Sequence, residues 1–338
     1  MDLEEECSQR EPPGDASRGW EWSVVVREIH LLYEKNSNCA RRLACFGLWL
    51  AFLSLGIPVA HGFNLQNVQH LVVFGDSLSD NGNSLAAAGR PQPPYYYGRW
   101  TNGLNWVDFF SYYSRVNQHF LPVTAFLQNR GTNFAVAGSD SLALAGQIGS
   151  YLGDVSGRAS PNDLFVIWIG ANDFSQGISA KITVSGIEAG IVALWKAGAR
   201  NFVVINLPDI SLTPDVKNEG TKTDLAAKQF VYTVNTSLQA QIPFYSSFLG
   251  IVVLLIDVNT PFTQLVNTRT WTVKGLGTAN FLNSSGFAYN PNNGALAPNP
   301  NSFVFWDGFH PTAAVHYLAG WFIFQSAFPG TSSVPVAK

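Results

Sequence analysis

Residues 71–82 read Leu71-Val72-Val73-Phe74-Gly75-Asp76-Ser77-Leu78-Ser79-Asp80-Asn81-Gly82. The four apolar residues at the start, two of them β-branched, predict a short buried strand, and the glycine and small polar residues after them predict the turn that ends it. Ser77 would then lie just beyond the carboxyl end of a strand, which in an open α/β sheet is the edge where ligands bind. A serine at that edge is a candidate nucleophile, and it needs a base and an oxyanion site from elsewhere in the chain.

The candidate base is His310, because a carboxylate, Asp307, precedes it by three residues. Across one turn the carboxylate can orient the imidazole and stabilise its protonated form while His310 takes the serine proton. An Asp-x-x-His pair is a weak signal by itself, but this pair comes just before the last predicted helix and far along the chain from Ser77. For the other histidines after residue 62 we expect structural positions: His70 at a strand edge, His119 in a loop and His316 inside the last helix.

Two further turns after predicted strands offer hydrogen-bond donors for an oxyanion. Gly170-Ala171-Asn172-Asp173 follows one strand, and the Asn172 side-chain amide could donate from the same sheet edge as Ser77. The second turn contains Gly138, where the missing side chain would expose a backbone N–H. Each turn could be an ordinary strand end, but three turns of this design after three strands favour a site.

Short apolar runs predict further strands, and helical periodicity falls between them. The predicted strands after the first lie at residues 133–136, 164–169, 202–205 and 251–256, and the predicted helices at 105–113, 184–199, 224–248 and 313–328. This alternation predicts a parallel sheet covered by helices on both faces, which is a three-layer α/β/α sandwich.

Two long segments fit no regular element. One is residues 90–100, rich in proline and tyrosine, and the other is the Asn-, Pro- and Gly-rich run from about 274 to 302. Long loops in compact domains are often functional, so we expect both near the rim of the site, with surface decoration as the alternative. In the first loop, Tyr97, Arg99 and Trp100 are the candidate substrate contacts.

The chain before residue 63 divides into two parts. Residues 1–40 are polar and charged and predict a disordered segment. In residues 41–62, two arginines precede an apolar run at 43–57 with a small-x-small exit, which predicts a secretory signal too short for the ~20 residues that span a bilayer. An uncleaved signal-anchor and a mispredicted first exon are the alternatives. The folded domain would then occupy residues 63–338.

Cysteine and charge exclude several classes of function. All three cysteines, Cys7, Cys39 and Cys45, lie at or before the apolar run, so residues 63–338 contain no cysteine nucleophile, thiolate metal site or disulfide. The same residues carry 14 basic and 14 acidic side chains, a balance that gives no basis for binding nucleic acid. Export from a eukaryotic host would make Asn235 and Asn283 glycosylation acceptors, since both begin an Asn-x-Ser/Thr sequence.

These motifs resemble, in order, the sequence blocks of GDSL-type esterases and lipases of the SGNH hydrolase superfamily. The matching residues are Phe74-Gly75-Asp76-Ser77-Leu78, Gly138, Gly170-x-Asn172-Asp173 and Asp307-x-x-His310. Residues 97–103 are also similar to a Gly-Arg-Phe-Ser-Asn-Gly run of plant-type and fungal members, with Trp and Thr where Phe and Ser are usual. No Gly-x-Ser-x-Gly surrounds Ser77, which argues against the nucleophile elbow of α/β-hydrolases.

The resemblance implies a flavodoxin-like sandwich with a parallel five-stranded sheet. It also implies the roles of the site residues: Ser77 as nucleophile, His310 as base and Asp307 as its partner. The oxyanion donors would be the N–H groups of Ser77 and Gly138 and the side chain of Asn172. Asp76, Gly170 and Asp173 would support them.

The expected reaction is two-step acyl transfer to water through an acyl-Ser77 intermediate, with no metal or organic cofactor. Short-chain and acetyl esters, including acetylated plant-wall carbohydrate, suit the polar and aromatic loops, and the sequence shows no clear amphipathic lid helix. A lipase or phospholipase acting on longer acyl chains is the alternative, and a non-catalytic carbohydrate-binding protein on the same fold is a third. We expect a secreted monomer whose partner is its ester substrate, attached to a membrane only if residues 43–57 remain as an anchor.

Overall fold

In the computed structural model, which describes residues 62–116 and 131–331, the strand predicted before Ser77 forms as β1, Leu71–Gly75. Three more strands extend the parallel sheet from β1, each paired with the one before it: β2 (Leu164–Trp168), β3 (Asn201–Ile205) and β4 (Val252–Ile256). β1 and β2 are buried along their whole length. Their near-continuous apolar sequences are therefore typical of central parallel strands covered on both faces.

The predicted fifth strand, residues 133–136, does not form as a strand. This segment and Thr132 before it run beside β1 and exchange three backbone hydrogen bonds with it, but they make a single isolated bridge, Val73 to Asn133. The Gly75 N–H, which a longer parallel ladder would pair with the Phe134 carbonyl, donates instead to the Gln147 side chain at 2.9 Å. On the outer side of the segment, the carbonyls of Asn133 and Ala135 accept from the Asn83 amide at 2.7 and 2.8 Å. The prediction of five strands was therefore wrong: within the described ranges the sheet has four, because the segment at its edge does not form a strand. With the segment included, the spatial order is 2-1-3-4-5, the flavodoxin-like order.

Nine α-helices lie in the described ranges, and together with the sheet they form three layers. They are α1 (Asn83–Ala88), α2 (Trp106–Ser114), α3 (Leu144–Asp154), α4 (Ala171–Ser175), α5 (Ala180–Ala197), α6 (Pro214–Asn218), α7 (Thr221–Leu249), α8 (Asn259–Thr268) and α9 (Ala313–Ala327). The four predicted helices correspond to α2, α5, α7 and α9. Short 3₁₀ turns occur at Leu65–Asn67, Ile210–Leu212 and Pro300–Ser302.

Alternation along the strands divides the core between the two faces of the sheet. Leu71 and Val73 point into a cluster that also contains apolar residues of α2, α8 and α9. Val72 and Phe74 point into a second cluster with α3, α5 and α7. Because successive strand residues face opposite sides, one short apolar run supplies both cores. The predicted three-layer sandwich is confirmed.

The run at 274–302 is more regular than predicted. β5 (Thr270–Val273) pairs antiparallel with β6 (Gly277–Asn280), and β7 (Asn283–Phe287) pairs in parallel with β8 (Phe303–Phe305). The prediction of an irregular segment was wrong for β6 and β7, because polar, half-exposed strands show no apolar alternation and are held by their partners' backbones. The remainder of the run between β7 and the Pro300–Ser302 turn is irregular.

Several sequence predictions fall outside the described residues: the disordered segment 1–40, the apolar run 43–57 and His119. In the described ranges, no helix is both long enough and apolar enough to cross a membrane.

Candidate active site

Three side chains that are far apart in the sequence form one chain of hydrogen bonds at the carboxyl edge of the sheet. Ser77 follows β1, and its Oγ lies 2.8 Å from His310 Nε2. On the other side of the imidazole, His310 Nδ1 lies 2.8 Å from Asp307 Oδ2. The structure thus brings together all three residues of the predicted triad, in the order that proton transfer from a serine to a histidine requires.

The turn that carries Asp307 and His310 follows β8 and is held by its own backbone. Asp307 Oδ1 accepts from the N–H groups of Phe309 and His310 at 2.9 and 2.7 Å, and Trp306 N–H donates to the His310 carbonyl at 2.7 Å. An aspartate that bonds the backbone in this way fixes a tight turn locally. At Gly308 a side chain would overlap the Asp215 carboxylate, so the turn requires glycine.

The electrostatics of the triad favour a charged pair. Burial would lower the pKa of His310, but the charge and hydrogen bond of Asp307 outweigh it, with Asp76 and Asp215 adding to the effect, so this pKa lies above its ordinary value. Burial would likewise raise the pKa of Asp307, yet the His310 charge and its hydrogen bonds hold this pKa below the usual range. Asp307 therefore stabilises the imidazolium that forms when His310 takes a proton.

The predicted oxyanion donors lie at the same edge of the sheet. Asn172 lines the same pocket as Ser77, and its Nδ2 donates one hydrogen bond to the Ser139 carbonyl at 2.9 Å, which leaves its second N–H. Gly138, next to Ser139, has a φ of +80°, which glycine adopts readily. Among the described residues, the N–H groups of Ser77 and Gly138 donate to no partner.

Asp173 and Gly170 hold the two turns together. The Asp173 carboxylate, fully buried, accepts from the N–H and hydroxyl of Ser141 and from the Thr183 hydroxyl. It therefore ties the turn of Gly138 to the turn of Asn172. Gly170 has a φ of +123°, and a Cβ there would come within 2.8 Å of Thr183 Cγ2, so the strand-to-helix turn requires glycine.

Asp76 and Gln147 shape the turn that presents Ser77. Asp76 is buried, and its Oδ1 accepts from the Leu78 N–H at 3.0 Å. Burial raises the pKa of Asp76 to about 7, against the opposing effects of the Leu78 N–H and His310. Gln147, which sequence reasoning missed, bonds both the N–H and the carbonyl of Gly75, at 2.9 and 2.8 Å. Nothing in the sequence around a glutamine in an amphipathic helix predicts hydrogen bonds to a backbone 72 residues away.

The loop at 90–100 is irregular, as predicted, and it reaches the site through Trp100, which was expected there, and through Tyr95, which was not. Trp100 packs with its ring centroid 5.4 Å from that of His310. Arg99 forms an ion pair with Asp108 at 2.8 Å, and Tyr97 is 75% exposed, so the structure brings neither to the pocket. Tyr95, which no pattern singled out, donates its hydroxyl to Asp307 Oδ2 at 2.7 Å.

Beside Ser77 and His310 lies a cavity of about 510 Å³. Most of its lining is apolar and comes from both faces of the sheet edge: Leu78, Trp168, Ala171, Phe174, Pro208, Ile210, Val216, Val258, Phe262, Trp271, Phe309, Pro311, Val315 and Ala319. Cavities of this size and composition are typical of sites for small organic ligands.

The other described histidines have structural partners. His316 is buried, and its Nδ1 accepts from the Trp106 N–H at 3.3 Å; burial, together with nearby His310, lowers the pKa of His316 to about 3. His316 is therefore neutral in water at ordinary pH. His70 lies 2.9 Å from Asp163 at the surface. In residues 62–116 and 131–331, no cluster of histidine, cysteine or acidic side chains could hold a metal ion.

A parallel three-layer fold with a Ser–His–Asp chain at its ligand-binding edge defines a serine hydrolase. The family described as GDSL-like lipase/acylhydrolase matches residues 71–320, which is most of the sequence. The chain belongs to this family, as the resemblance predicted.

Individual relatives are distant. The thermolabile hemolysin of Vibrio parahaemolyticus is 28% identical over 75% of this chain and 63% of its own length. A GDSL esterase/lipase of Arabidopsis thaliana is 24% identical over 82% and 91% of the two chains, and an acetylesterase of Thermothelomyces thermophilus is 26% identical over 60% and 75%. The chain spans less than two-thirds of the length of the hemolysin.

Proposed function

We propose that this chain hydrolyses carboxylic esters by acyl transfer through Ser77. His310 takes the hydroxyl proton as Ser77 Oγ attacks the ester carbonyl, and Asp307 stabilises the imidazolium. The N–H groups of Ser77 and Gly138 and the Asn172 amide stabilise the tetrahedral oxyanion. The alcohol leaves with the proton from His310. Water then attacks acyl-Ser77, again with His310 as base, and releases the acid.

The substrates we propose are esters of medium or long acyl chains, and the observation that carries this proposal is the apolar cavity beside Ser77. An acetyl group would leave most of the 510 Å³ and its apolar lining exposed to water, whereas each buried methylene contributes about 0.8 kcal/mol. The cavity therefore favours the lipase alternative over the acetylated carbohydrate expected from the loops. The names of the relatives include both esterase/lipase and acetylesterase, so they do not decide between the two.

A series of p-nitrophenyl esters from acetate to palmitate tests this substrate class. We expect kcat/KM to rise roughly threefold to fourfold per methylene until the cavity is filled, because binding energy from the chain is used in the transition state. The variant Ala319→Phe, which enlarges a side chain of the cavity wall, should lower the rate on decanoate far more than the rate on acetate. A series that falls from acetate onward, with high activity on acetylated xylan, would restore the short-chain alternative.

We also propose that the protein is exported, and the two predicted acceptors differ in a way that makes glycosylation informative. The Asn235 side-chain oxygen accepts from the Leu207 N–H at 2.9 Å, and its Nδ2 donates to the Leu207 carbonyl at 2.8 Å. Both ends of the Asn235 amide are therefore hydrogen-bonded within the fold. The Asn283 oxygen accepts from the N–H groups of Ser285 and Gly286. Its Nδ2 donates to no partner among the described residues.

In a eukaryotic expression host, we therefore expect a glycan on Asn283 and none on Asn235. The measurement is the intact mass of secreted protein before and after endoglycosidase, in wild type and in Asn283→Gln. The amino terminus of the secreted chain should lie near His61 or Phe63. Secreted protein that retains Cys45 would contradict cleavage of the leader.

A further inference from the structure

We infer that Tyr95 is a positioning residue that orients the Asp307 carboxylate toward His310 and shares its negative charge. The inference rests on the proposed function, because it concerns the same triad. Two donors share one oxygen of Asp307: its Oδ2 lies 2.7 Å from the Tyr95 hydroxyl and 2.8 Å from His310 Nδ1. The hydrogen-bond chain therefore has four members, Ser77, His310, Asp307 and Tyr95.

The Asp307 carboxylate has its acceptor positions occupied on both oxygens. Oδ1 accepts from two backbone N–H groups of its own turn, and Oδ2 accepts from His310 and Tyr95. A carboxylate held from both sides cannot rotate away from the imidazole without losing a hydrogen bond in a buried position, which is costly. Tyr95 is the one member of this set that comes from a distant segment, 212 residues away.

An aromatic cage holds the Tyr95 ring in place. Its ring centroid lies 5.6 Å from Trp100, 5.6 Å from Tyr289 and 5.9 Å from Trp306, each in an edge-to-face arrangement. Edge-to-face pairs have a preferred geometry, so the cage limits the positions that the ring can take. Since Trp100 also packs against His310, the loop at 90–100 supports both ends of the Asp307–His310 pair.

The Tyr95 hydroxyl remains a hydrogen-bond donor throughout the pH range in which an esterase works. Burial and the adjacent Asp307 charge raise the pKa of Tyr95 above its ordinary value, so the phenol keeps its proton. A hydrogen bond from a neutral O–H draws part of the carboxylate charge away from the imidazole. Tyr95 thus opposes the effect of Asp307 on the basicity of His310 while keeping the two groups aligned.

Other titratable groups face this site, and none of the described ones replaces Tyr95. Asp76 lies on the turn after β1, Asp215 lies on α6 with Glu219 at its end, and the neutral His316 lies on α9. Asp76 and Asp215 act on His310 by charge, and Tyr289 contacts the Tyr95 ring. In the described residues, the side-chain donors to Asp307 Oδ2 are His310 and Tyr95.

Tyr95→Phe removes the hydroxyl and keeps the ring in its cage. With p-nitrophenyl octanoate, kcat/KM should fall about 3- to 10-fold at the pH plateau, the range of one lost hydrogen bond. The acid limb of the kcat/KM profile should move to higher pH, because Asp307 then places its full charge on His310 and raises the pKa of the base. Tyr151→Phe is the matched control: it removes a buried phenol oxygen in the α3 side of the core, and neither quantity should change.

A double-mutant cycle decides whether Tyr95 acts through Asp307. In the Asp307→Asn background, Tyr95→Phe should cost less than twofold, since the carboxylate it orients is gone. Equal losses in both backgrounds, or an acid limb that does not rise, would overturn the inference. An NMR titration of the His310 ring in wild type and in Tyr95→Phe measures the expected rise in the pKa of His310 directly, without any turnover. A wild-type protein inactive on all esters would instead refute the proposed function.

Discussion

Ser77→Ala should lower kcat for ester hydrolysis roughly 10⁴- to 10⁶-fold while leaving the fold unchanged, because the acyl-enzyme can no longer form. His310→Ala should have an effect of similar size, since the members of a triad act as a unit. Steady-state rates with p-nitrophenyl octanoate measure the loss, and circular dichroism verifies the fold. A fluorophosphonate probe should label Ser77 in the wild type and no serine in Ser77→Ala, because an activated hydroxyl attacks phosphorus fastest.

Ser150→Ala is the control for this pair, because Ser150 is an exposed serine on α3 whose hydroxyl bonds the Gly146 carbonyl. Its rates should equal those of the wild type. Near wild-type turnover in His310→Ala, or fluorophosphonate labelling at another serine, would contradict the assignment of nucleophile and base.

Asn172→Ala should lower kcat roughly 100- to 1000-fold, about 2.7–4 kcal/mol, with little change in KM. The Asn172 amide lines the pocket from the first turn of α4, and in the proposed mechanism it donates to charge that develops only as the carbonyl becomes tetrahedral. Its loss is therefore felt in the transition state more than in the bound ester. Asn172→Asp should be worse still, because it places a negative charge beside the oxyanion.

Gln176→Ala offers a matched comparison for the oxyanion donor. Gln176 carries a side-chain amide at the C-terminal end of the short helix α4, but its Nε2 donates to the Gly138 carbonyl at 3.0 Å, and Gln176 does not line the pocket. We expect a much smaller loss of kcat in this variant. A rise in KM alone for Asn172→Ala would mean that the residue positions the substrate and does not stabilise the oxyanion.

Sequence reasoning was strongest where one short segment carries its own signal. The apolar run of β1, the positions of α2, α5, α7 and α9 and the three-layer class follow from periodicity and are confirmed. The turn from Asp307 to His310 could likewise be predicted, because three residues of spacing bring the two side chains together within a single turn.

Local sequence patterns carry no information about a side chain that bonds a distant backbone or side chain. The segment at 133–136 has the sequence of a strand, but the Gln147 side chain accepts from the Gly75 N–H that a longer pairing with β1 would use. Arg99 is a predicted substrate contact, and no local pattern shows its ion pair with Asp108 on α2. Tyr95 in a proline-rich loop looks no different from Tyr96 and Tyr97, yet it alone of the three bonds Asp307.

The sequence by itself determined the chemistry available to this protein: a serine after a strand, an Asp-x-x-His turn, two glycine turns with an amide, and a domain without cysteine. These are properties of contiguous residues, and spacing is enough to predict them. The tertiary structure alone decided which groups meet. It places Ser77 Oγ 2.8 Å from His310 Nε2 and the Tyr95 hydroxyl within hydrogen-bond distance of Asp307. It also brings apolar side chains from both sides of the sheet edge together in one cavity. Contacts between segments that are distant in the chain depend on how the layers pack, which is a property of the whole fold.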